Sequence, residues 1–238
     1  MFTADRLSRE ISALGVAPGD VVMVHVSLRA IGPLRNGADG LLDALRTSVG
    51  EDGTLLMVLG ANIAHDWVNK RPELEREALL ADAPIFDPLR APVFSEVGYF
   101  AEIFRRAPGT LVSDKPSGRF GGQGRLAEML LRDAPWHDYY GPGSPLEKLC
   151  QAGGKILRIG ANPDTTTVLH FAGYLVDAPN KRRVRRHYRC KGAGGSVIRT
   201  VDCLDDEDGF VHVDGEDYFA RILKDYLALG KARRAQLG

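Results

Sequence analysis

The chain has 238 residues and a formal net charge of zero, because 31 Lys and Arg residues balance 31 Asp and Glu residues. That length fits one large domain, and we expect a single domain over residues 1–238. The neutral balance argues against a general nucleic-acid-binding protein, which would show a basic excess. Three cysteines in no CxxC spacing exclude a disulfide scaffold and a cysteine-rich zinc site. Because no apolar run has the length of a membrane span or of a signal peptide's core, we expect a cytoplasmic protein without a membrane partner.

The first sixty residues alternate between helical and strand patterns. Apolar residues at helical spacing predict a helix over residues 5–14, and a β-branched run predicts a strand at 21–24 that is buried on both faces. A helix follows at 40–49 and a second buried strand at 54–59. Strand, helix and strand in this order indicate a crossover connection between two parallel strands.

Further along the chain, an apolar run predicts a third strand at 155–160, and a helix at 165–176 follows it with Asp164 as a candidate N-cap. Between residues 60 and 98 the pattern is irregular, and its prolines exclude a long helix there. Helical spacing is also found at residues 73–81, 99–106, 125–132 and 217–229. These elements together predict an α/β fold with a mixed, centrally parallel sheet flanked by helices.

The charges of the last fifth of the chain are divided by sign. Residues 181–191 hold seven Lys and Arg residues and no acid, whereas residues 202–217 hold eight acids and no Lys or Arg. One interpretation is a pair of solvated faces whose charges partly neutralise each other. The other is that the basic run favours phosphate groups and the acidic run favours a cationic substrate.

His170 has the most promising surroundings of the six histidines, since it follows the third predicted strand and lies one turn into the next helix. Ligands of parallel α/β sheets bind beyond the carboxyl ends of the strands, where this segment would lie. Thr166, four residues earlier, would share its helical face. Imidazole titrates near neutral pH and suits a general base. The alternative is a structural histidine that is hydrogen-bonded on the helix surface.

His25 directly follows the first predicted strand, and the loop after it contains Ser27, Leu28 and Arg29. Hydroxyl, backbone N–H and guanidinium groups in such a loop could hold phosphate. The alternative is a strand-end histidine bonded to a neighbouring loop. The remaining histidines lack ligand spacings such as HxxxH, so we expect no metal site.

A glycine-rich segment at residues 119–124 matches [RQ]xxGx[GA], the pyrophosphate loop of the GCN5-related acetyltransferases. Glycine-rich loops before helices can hold phosphate through free N–H groups. The pattern is short and the chain has 27 glycines, so the alternative is a simple glycine-rich turn before the helix at 125.

Six segments, in the right order, resemble sequence blocks of the aminoglycoside N(3)-acetyltransferase family, and the resemblance covers most of residues 5–205. The first of them, from Val24 to Gly32, is similar to V-H-S-S-L-R-S-I-G, and the last, from Asp164 to His170, to D-x-N-T-x-L-H. The six segments are residues 24–32, 50–57, 86–104, 143–149, 154–160 and 164–170.

This resemblance implies acetyl-CoA-dependent acetylation of an aminoglycoside amine, which confers antibiotic resistance, on an antibiotic N-acetyltransferase fold that is not GCN5-related. It implies that the match at 119–124 is accidental. His170 would be the general base, with Glu102 orienting its ring. CoA would be bound by His25, Ser27, Leu28, Arg29, Thr166 and Thr167. The ammonium groups of the substrate would be bound by Asp87, Asp164, Asp202, Asp205 and Asp206.

The chain departs from the family pattern at positions that would face the substrate: Val26, Lys115, Arg119, Pro163 and Gly173. The last of these stands where the family usually has Glu, three residues after the histidine. Acetylation of a different amine, such as a 2′-amine, or of a non-aminoglycoside amine is therefore an alternative. From another class, the alternative is a non-catalytic protein that binds phosphate or nucleic acid through residues 181–191. The resemblance is compatible with a homodimer.

Overall fold

The structure, a computed structural model, describes residues 2–176, 181–205 and 235–237. No helix within these ranges is long and apolar enough to cross a membrane. The helices are α1 (Ala4–Ala13), α2 (Leu28–Ile31), α3 (Gly37–Val49), α4 (Ile63–Asn69), α5 (Glu73–Leu80), α6 (Tyr99–Arg106), α7 (Ala127–Leu131), α8 (Pro145–Gln151) and α9 (Val168–Leu175), with 3-10 turns at Ser95–Val97 and Pro163–Thr165. The strands are β1 (Val21–Val26), β2 (Thr54–Gly60), β3 (Leu111–Val112), β4 (Arg119–Gly124), β5 (Lys155–Ile159), β6 (Arg183–Gly192), β7 (Gly195–Leu204) and β8 (Ala235–Leu237).

Six strands form the main sheet in the order β3-β4-β2-β1-β5-β8. β1 is parallel to β2 on one side and to β5 on the other, with Val22 opposite Leu55 and Lys155. β8 is parallel to β5, whereas β4 is antiparallel to β2 and β3 is antiparallel to β4. The prediction of a mixed, centrally parallel sheet flanked by helices is therefore confirmed.

Both faces of the central strands are buried, because every residue of β1 and β2 is buried. Alternate side chains of β1 belong to two different apolar clusters, Val21 and Met23 to one and Val22 and Val24 to the other. Helices α1, α3 and α6 cover the second cluster, whereas α7, α8, α9 and the β6–β7 hairpin cover the first. A strand buried on both faces needs a continuous apolar run, and β1 and β2 supply one.

The glycine-rich segment at 119–124 is strand β4, which corrects the prediction of a turn before a helix and excludes a phosphate loop there. A Cβ at Gly121 would lie 3.2 Å from the Phe104 ring, and a Cβ at Gly122 would lie 3.1 Å from Cβ of Ala127. The glycines therefore allow α6 and α7 to approach the strand closely from opposite faces.

The helix predicted at 165–176 begins at Val168, after the 3-10 turn Pro163–Thr165. Its N-cap residue is Thr167, so the prediction that Asp164 caps this helix is wrong. The helix predicted at 217–229 lies outside the described residues.

An arginine holds the irregular segment between Phe86 and Phe94 in place. Arg119 is fully buried and donates hydrogen bonds from its guanidinium to the carbonyl oxygens of Pro92 at 2.8 Å and Ala91 at 2.9 Å. Prolines prevent a regular element here, so these carbonyl groups need side-chain donors.

Glu102 on α6 binds the same segment from the other side. Its carboxylate accepts hydrogen bonds from the Val93 N–H at 3.0 Å and from the guanidinium of Arg105 at 2.7 and 2.9 Å. Arg106 donates to it as well, at 2.5 Å, and Arg105 also reaches the carbonyl oxygen of Leu89. This carboxylate therefore links α6 to the chain that passes over it.

Replacing Glu102 by Gln should lower the free energy of unfolding at pH 7 by about 1–3 kcal/mol, because charge-assisted hydrogen bonds are lost. Hydrogen bonds from Arg105 are the main reason that the pKa of Glu102 falls from 4.5 to about 2. A depressed pKa in the folded state means that this stabilisation is present above pH 4.5 and is lost as the pH falls toward 2. The difference between wild type and Glu102→Gln should accordingly shrink between pH 7 and pH 3.5 in urea titrations.

The exposed pair of Arg6 and Glu10 on α1 supplies the control for this measurement. Glu10→Gln should change the free energy of unfolding by less than about 0.5 kcal/mol, as is usual for exposed helical pairs. Equal effects of the two substitutions would contradict the role assigned to Glu102.

Candidate functional site

A cleft of about 970 Å³ opens where the three parallel strands β1, β2 and β5 end. Val26, Gly60 and Gly160 line it at these strand ends. The other walls come from α2, α4, α9, the 3-10 turns and the β6–β7 hairpin. This is the edge at which parallel α/β sheets bind ligands, because the connections after the strands leave a crevice there.

Glycines at two of the strand ends keep the floor of the cleft open. Gly60 has φ +74° and Gly160 has φ +67°, a left-handed conformation that favours glycine. A Cβ at Gly60 would lie 2.5 Å from Cβ of Phe94, and a Cβ at Gly160 would lie 2.8 Å from Cβ of Ala30. Any other residue would be strained and would collide with the walls of the cleft.

His170 is the third residue of α9, and its side chain lines the cleft. Leu169 and Phe171 on either side of it are buried in the core and fix the helix against the sheet. The imidazole stacks on the Tyr140 ring with a centroid distance of 4.8 Å and an interplanar angle of 14°. The structure thus brings a half-buried imidazole of fixed orientation to the cleft, as a general base requires.

His25, at the end of β1, also lines the cleft but is only 6% exposed. Burial, and secondarily the charges of Arg158 and His170, lower the pKa of its imidazole to about 4. Its Nε2 has no hydrogen-bond partner among the described residues. His25 is therefore a neutral polar group at neutral pH, able to hydrogen-bond a ligand but a weak base.

The residues predicted to bind CoA are largely brought together. Ser27, Leu28, Arg29 and Thr167 line the cleft along with His25. Thr166 does not, because it is buried and its hydroxyl donates to the carbonyl oxygen of Pro163 at 2.5 Å. In this position Thr166 closes the turn that precedes α9, and the structure does not support its predicted role in binding CoA.

Glu102 is not brought to His170. It does not line the cleft, and its carboxylate binds Arg105, Arg106 and the Val93 N–H. Two guanidinium groups and a backbone amide already use its oxygens, so the structure gives Glu102 a structural role and does not support the predicted orienting role.

Of the acids predicted to bind substrate, those whose side chains the structure describes lie outside the cleft. Asp87 accepts hydrogen bonds from the N–H groups of Leu89 and Arg90 in its own turn and does not line the cleft. The side chain of Asp164 and the whole of Asp206 lie outside the described residues.

The β6–β7 hairpin accounts for the other two acids. Asp202 pairs with Arg185 at 2.7 Å, and Asp205 pairs with Arg182. Register brings these partners together, since Arg185 lies opposite Asp202 across the two strands. Arg182 and Arg185 of the basic run therefore pair with the two acids of the acidic run that the structure describes, and neither acid lines the cleft. This placement does not support the predicted substrate-binding role of Asp202 and Asp205.

Two acids that the sequence analysis did not select line the cleft instead, Asp66 on α4 and Glu96 in the 3-10 turn. Asp66 is 5% exposed, and its Oδ1 has no hydrogen-bond partner in the described part of the chain. Its available signal was an acid six residues after the end of the second strand, in the helix that follows it. Lys70 and Arg186 are basic residues of the same cleft.

Among the described residues, no group of three or more His, Cys, Asp or Glu side chains could hold a metal ion. The cleft lining that is described also includes no cysteine. What the site offers is an imidazole, a neutral buried histidine, basic residues and two acids in one space.

Comparisons with known proteins agree with this arrangement. A family model described as aminoglycoside 3-N-acetyltransferase matches residues 23–238. Aminoglycoside N(3)-acetyltransferase VIII of Streptomyces fradiae is 38% identical over 99% of the chain and 84% of that protein. The crystal structure of aminoglycoside acetyltransferase AAC(3)-Xa is 40% identical, with a TM-score of 0.86 over 96% of this chain and 82% of that one. The structure of AAC-IIIb with CoASH is 37% identical, with a TM-score of 0.85 over 99% and 88%.

Proposed function

Since the chain belongs to the aminoglycoside 3-N-acetyltransferase family, we propose that it transfers the acetyl group of acetyl-CoA to the 3-amine of an aminoglycoside. The observation that carries this proposal is the cleft at the ends of β1, β2 and β5, which presents His170 together with basic and acidic side chains. Acetylation converts a cationic amine into a neutral amide, so the antibiotic loses one of its ammonium charges.

His170 acts as the general base in a direct transfer between two bound substrates. Its imidazole takes a proton from the attacking amine while the amine nitrogen bonds to the thioester carbonyl carbon. The carbon–sulfur bond then breaks, and the imidazolium returns the proton to the departing CoA thiolate. This route needs no acyl-enzyme, in keeping with a described lining that contains no cysteine.

Acetyl-CoA is bound on the side of the cleft formed by the loop after β1. The guanidinium of Arg29 suits a phosphate group, and Ser27 and Thr167 add hydroxyl groups. His25 supplies a neutral hydrogen-bonding nitrogen deeper in the wall. The CoASH-bound structure of AAC-IIIb, a relative of similar fold, supports acetyl-CoA as the second substrate.

Asp66 and Glu96 are the acids that bind the ammonium groups of the aminoglycoside. Both line the cleft that contains His170, unlike Asp87, Asp202 and Asp205. Asp66 is the stronger candidate, because a buried carboxylate oxygen without an internal partner gains most from a bound cation.

A cytoplasmic location is part of the proposal, supported by the three free cysteines, which are typical of a reducing compartment. The homodimer stays a prediction.

The proposed function is tested by thiol release from acetyl-CoA in the presence of a panel of aminoglycosides, followed by NMR of the products. We expect thiol release that depends on the aminoglycoside, and a product acetylated at the 3-amine. Acetylation at a 2′-amine would correct the position, and release with other amines only would overturn the substrate class.

His170→Ala should lower kcat by about 10²–10⁴-fold, the usual contribution of a general base, with little change in the affinity for acetyl-CoA. His137→Ala is the matched control, since His137 is exposed and bonds the Asp202 N–H outside the cleft. Steady-state kinetics and acetyl-CoA titrations measure both. A His170→Ala enzyme with wild-type turnover would refute the assignment.

Asp66→Asn should raise the KM for the aminoglycoside by about 10-fold or more, because a charge-assisted hydrogen bond is lost. Asp202→Asn should leave this KM unchanged, since Asp202 pairs with Arg185 outside the cleft. The effect at Asp66 should persist at high salt, because buried pairs are screened weakly. The reverse ranking of the two variants would place the substrate at the hairpin.

A further inference from the structure

The dipole of α9 disfavours the protonated form of His170, because this residue lies in the first turn of the helix. His170 is the third residue of α9, where the positive end of the helix dipole opposes an imidazolium. The helix sequence carries no acidic residue, and Gly173 provides no side chain one turn further on. Groups on other elements that contact the imidazole therefore have a large effect on its protonated state.

Tyr140 makes one of these contacts, a ring stack on the imidazole. Its ring lies face to face with the imidazole, at 4.8 Å between centroids and 14° between planes. The tyrosine is 7% exposed, and its ring is held edge-on by Phe120 at 6.0 Å and Tyr139 at 4.8 Å. A ring that is fixed on several sides can fix the plane of the imidazole that stacks on it.

We propose that Tyr140 is a positioning residue, whose ring face orients the His170 imidazole and stabilises it when it carries the proton of the substrate amine. The face of an aromatic ring is electron-rich, so it attracts a cation that lies over it, most strongly where water is excluded. The inference rests on the proposed role of His170 as the base. The other titratable or charged groups described in the lining of this cleft are His25 on β1, Arg29 on α2, Asp66 on α4, Lys70 directly after it, Glu96, Tyr99 on α6, and Arg186 on β6.

The direct test is an NMR titration of the His170 imidazole in the folded protein without substrates, with His170→Ala used to assign its signal. In Tyr140→Leu the pKa of His170 should fall by about one unit, because the ring face no longer stabilises the cation. In Tyr140→Phe it should stay near the wild-type value, because the stack is kept. Phe104→Leu is the matched control, since Phe104 is also a buried ring but belongs to the other apolar cluster and does not line the cleft.

Kinetics give a second measure of the same effect. In Tyr140→Leu the plateau value of kcat should fall about tenfold, as expected for a weaker and less well oriented base, and the acidic limb of the pH profile should move to lower pH. The KM for acetyl-CoA should change little. Tyr140→Phe should keep both the plateau and the limb at their wild-type positions, and Phe104→Leu should leave the limb where it is.

Fluorinated phenylalanines incorporated at position 140 make the test independent of whether the leucine variant folds. Fluorine withdraws electron density from the ring face while nearly preserving its shape, so each added fluorine should lower the pKa of His170 further. An unchanged pKa across this series, or an equal shift in Phe104→Leu, would overturn the proposal. The NMR titration is made without substrates. A protein that fails to acetylate aminoglycosides would therefore refute the proposed function, and the measured pKa of His170 would still test the role of Tyr140.

Discussion

β1 forms hydrogen bonds with β2 on one side and β5 on the other, in parallel on both. Three carboxyl ends therefore meet at one edge of the sheet, and the connections that leave them must diverge. Because both faces of β1 and β2 are buried, a shift of one residue in register would move every side chain into the opposite apolar cluster and disrupt the packing of both. The cleft, its glycine floor and the position of His25 all follow from this pairing.

The polar groups of the protein divide into those bound internally and those left available to ligands. Glu102 and Arg119 hold the irregular chain over α6, and Asp202 joins the two strands of the hairpin. Asp66 and His25 are also buried, but each keeps an oxygen or nitrogen without a partner among the described residues, and both line the cleft. Burial without an internal partner is costly to the free protein, so these groups are suited to bind substrates.

The sequence alone predicted the elements whose own residue pattern determines their structure, whatever packs against them. β1, β2 and β5 are apolar runs, and His170 was found because it follows the third of them. β4 was not predicted as a strand, because its glycines are explained by the helices that pack against it. Sequence spacing does not reveal such packing. The arginine partners of Glu102 and of the hairpin acids could not be predicted for the same reason: only tertiary contacts and strand register show which arginine binds each carboxylate. Asp66 was overlooked because a single acid after a strand has no distinctive spacing.

The central claim is that the cleft at the ends of β1, β2 and β5 is where acetyl transfer occurs. A crystal structure of the protein with CoA and an aminoglycoside bound together tests it most directly. We predict the amine nitrogen within hydrogen-bond reach of the His170 imidazole, about 2.6–3.2 Å, with the CoA sulfur beside it and an ammonium group on Asp66. CoA or the aminoglycoside bound outside this cleft, for instance against the acids of the hairpin, would contradict the account.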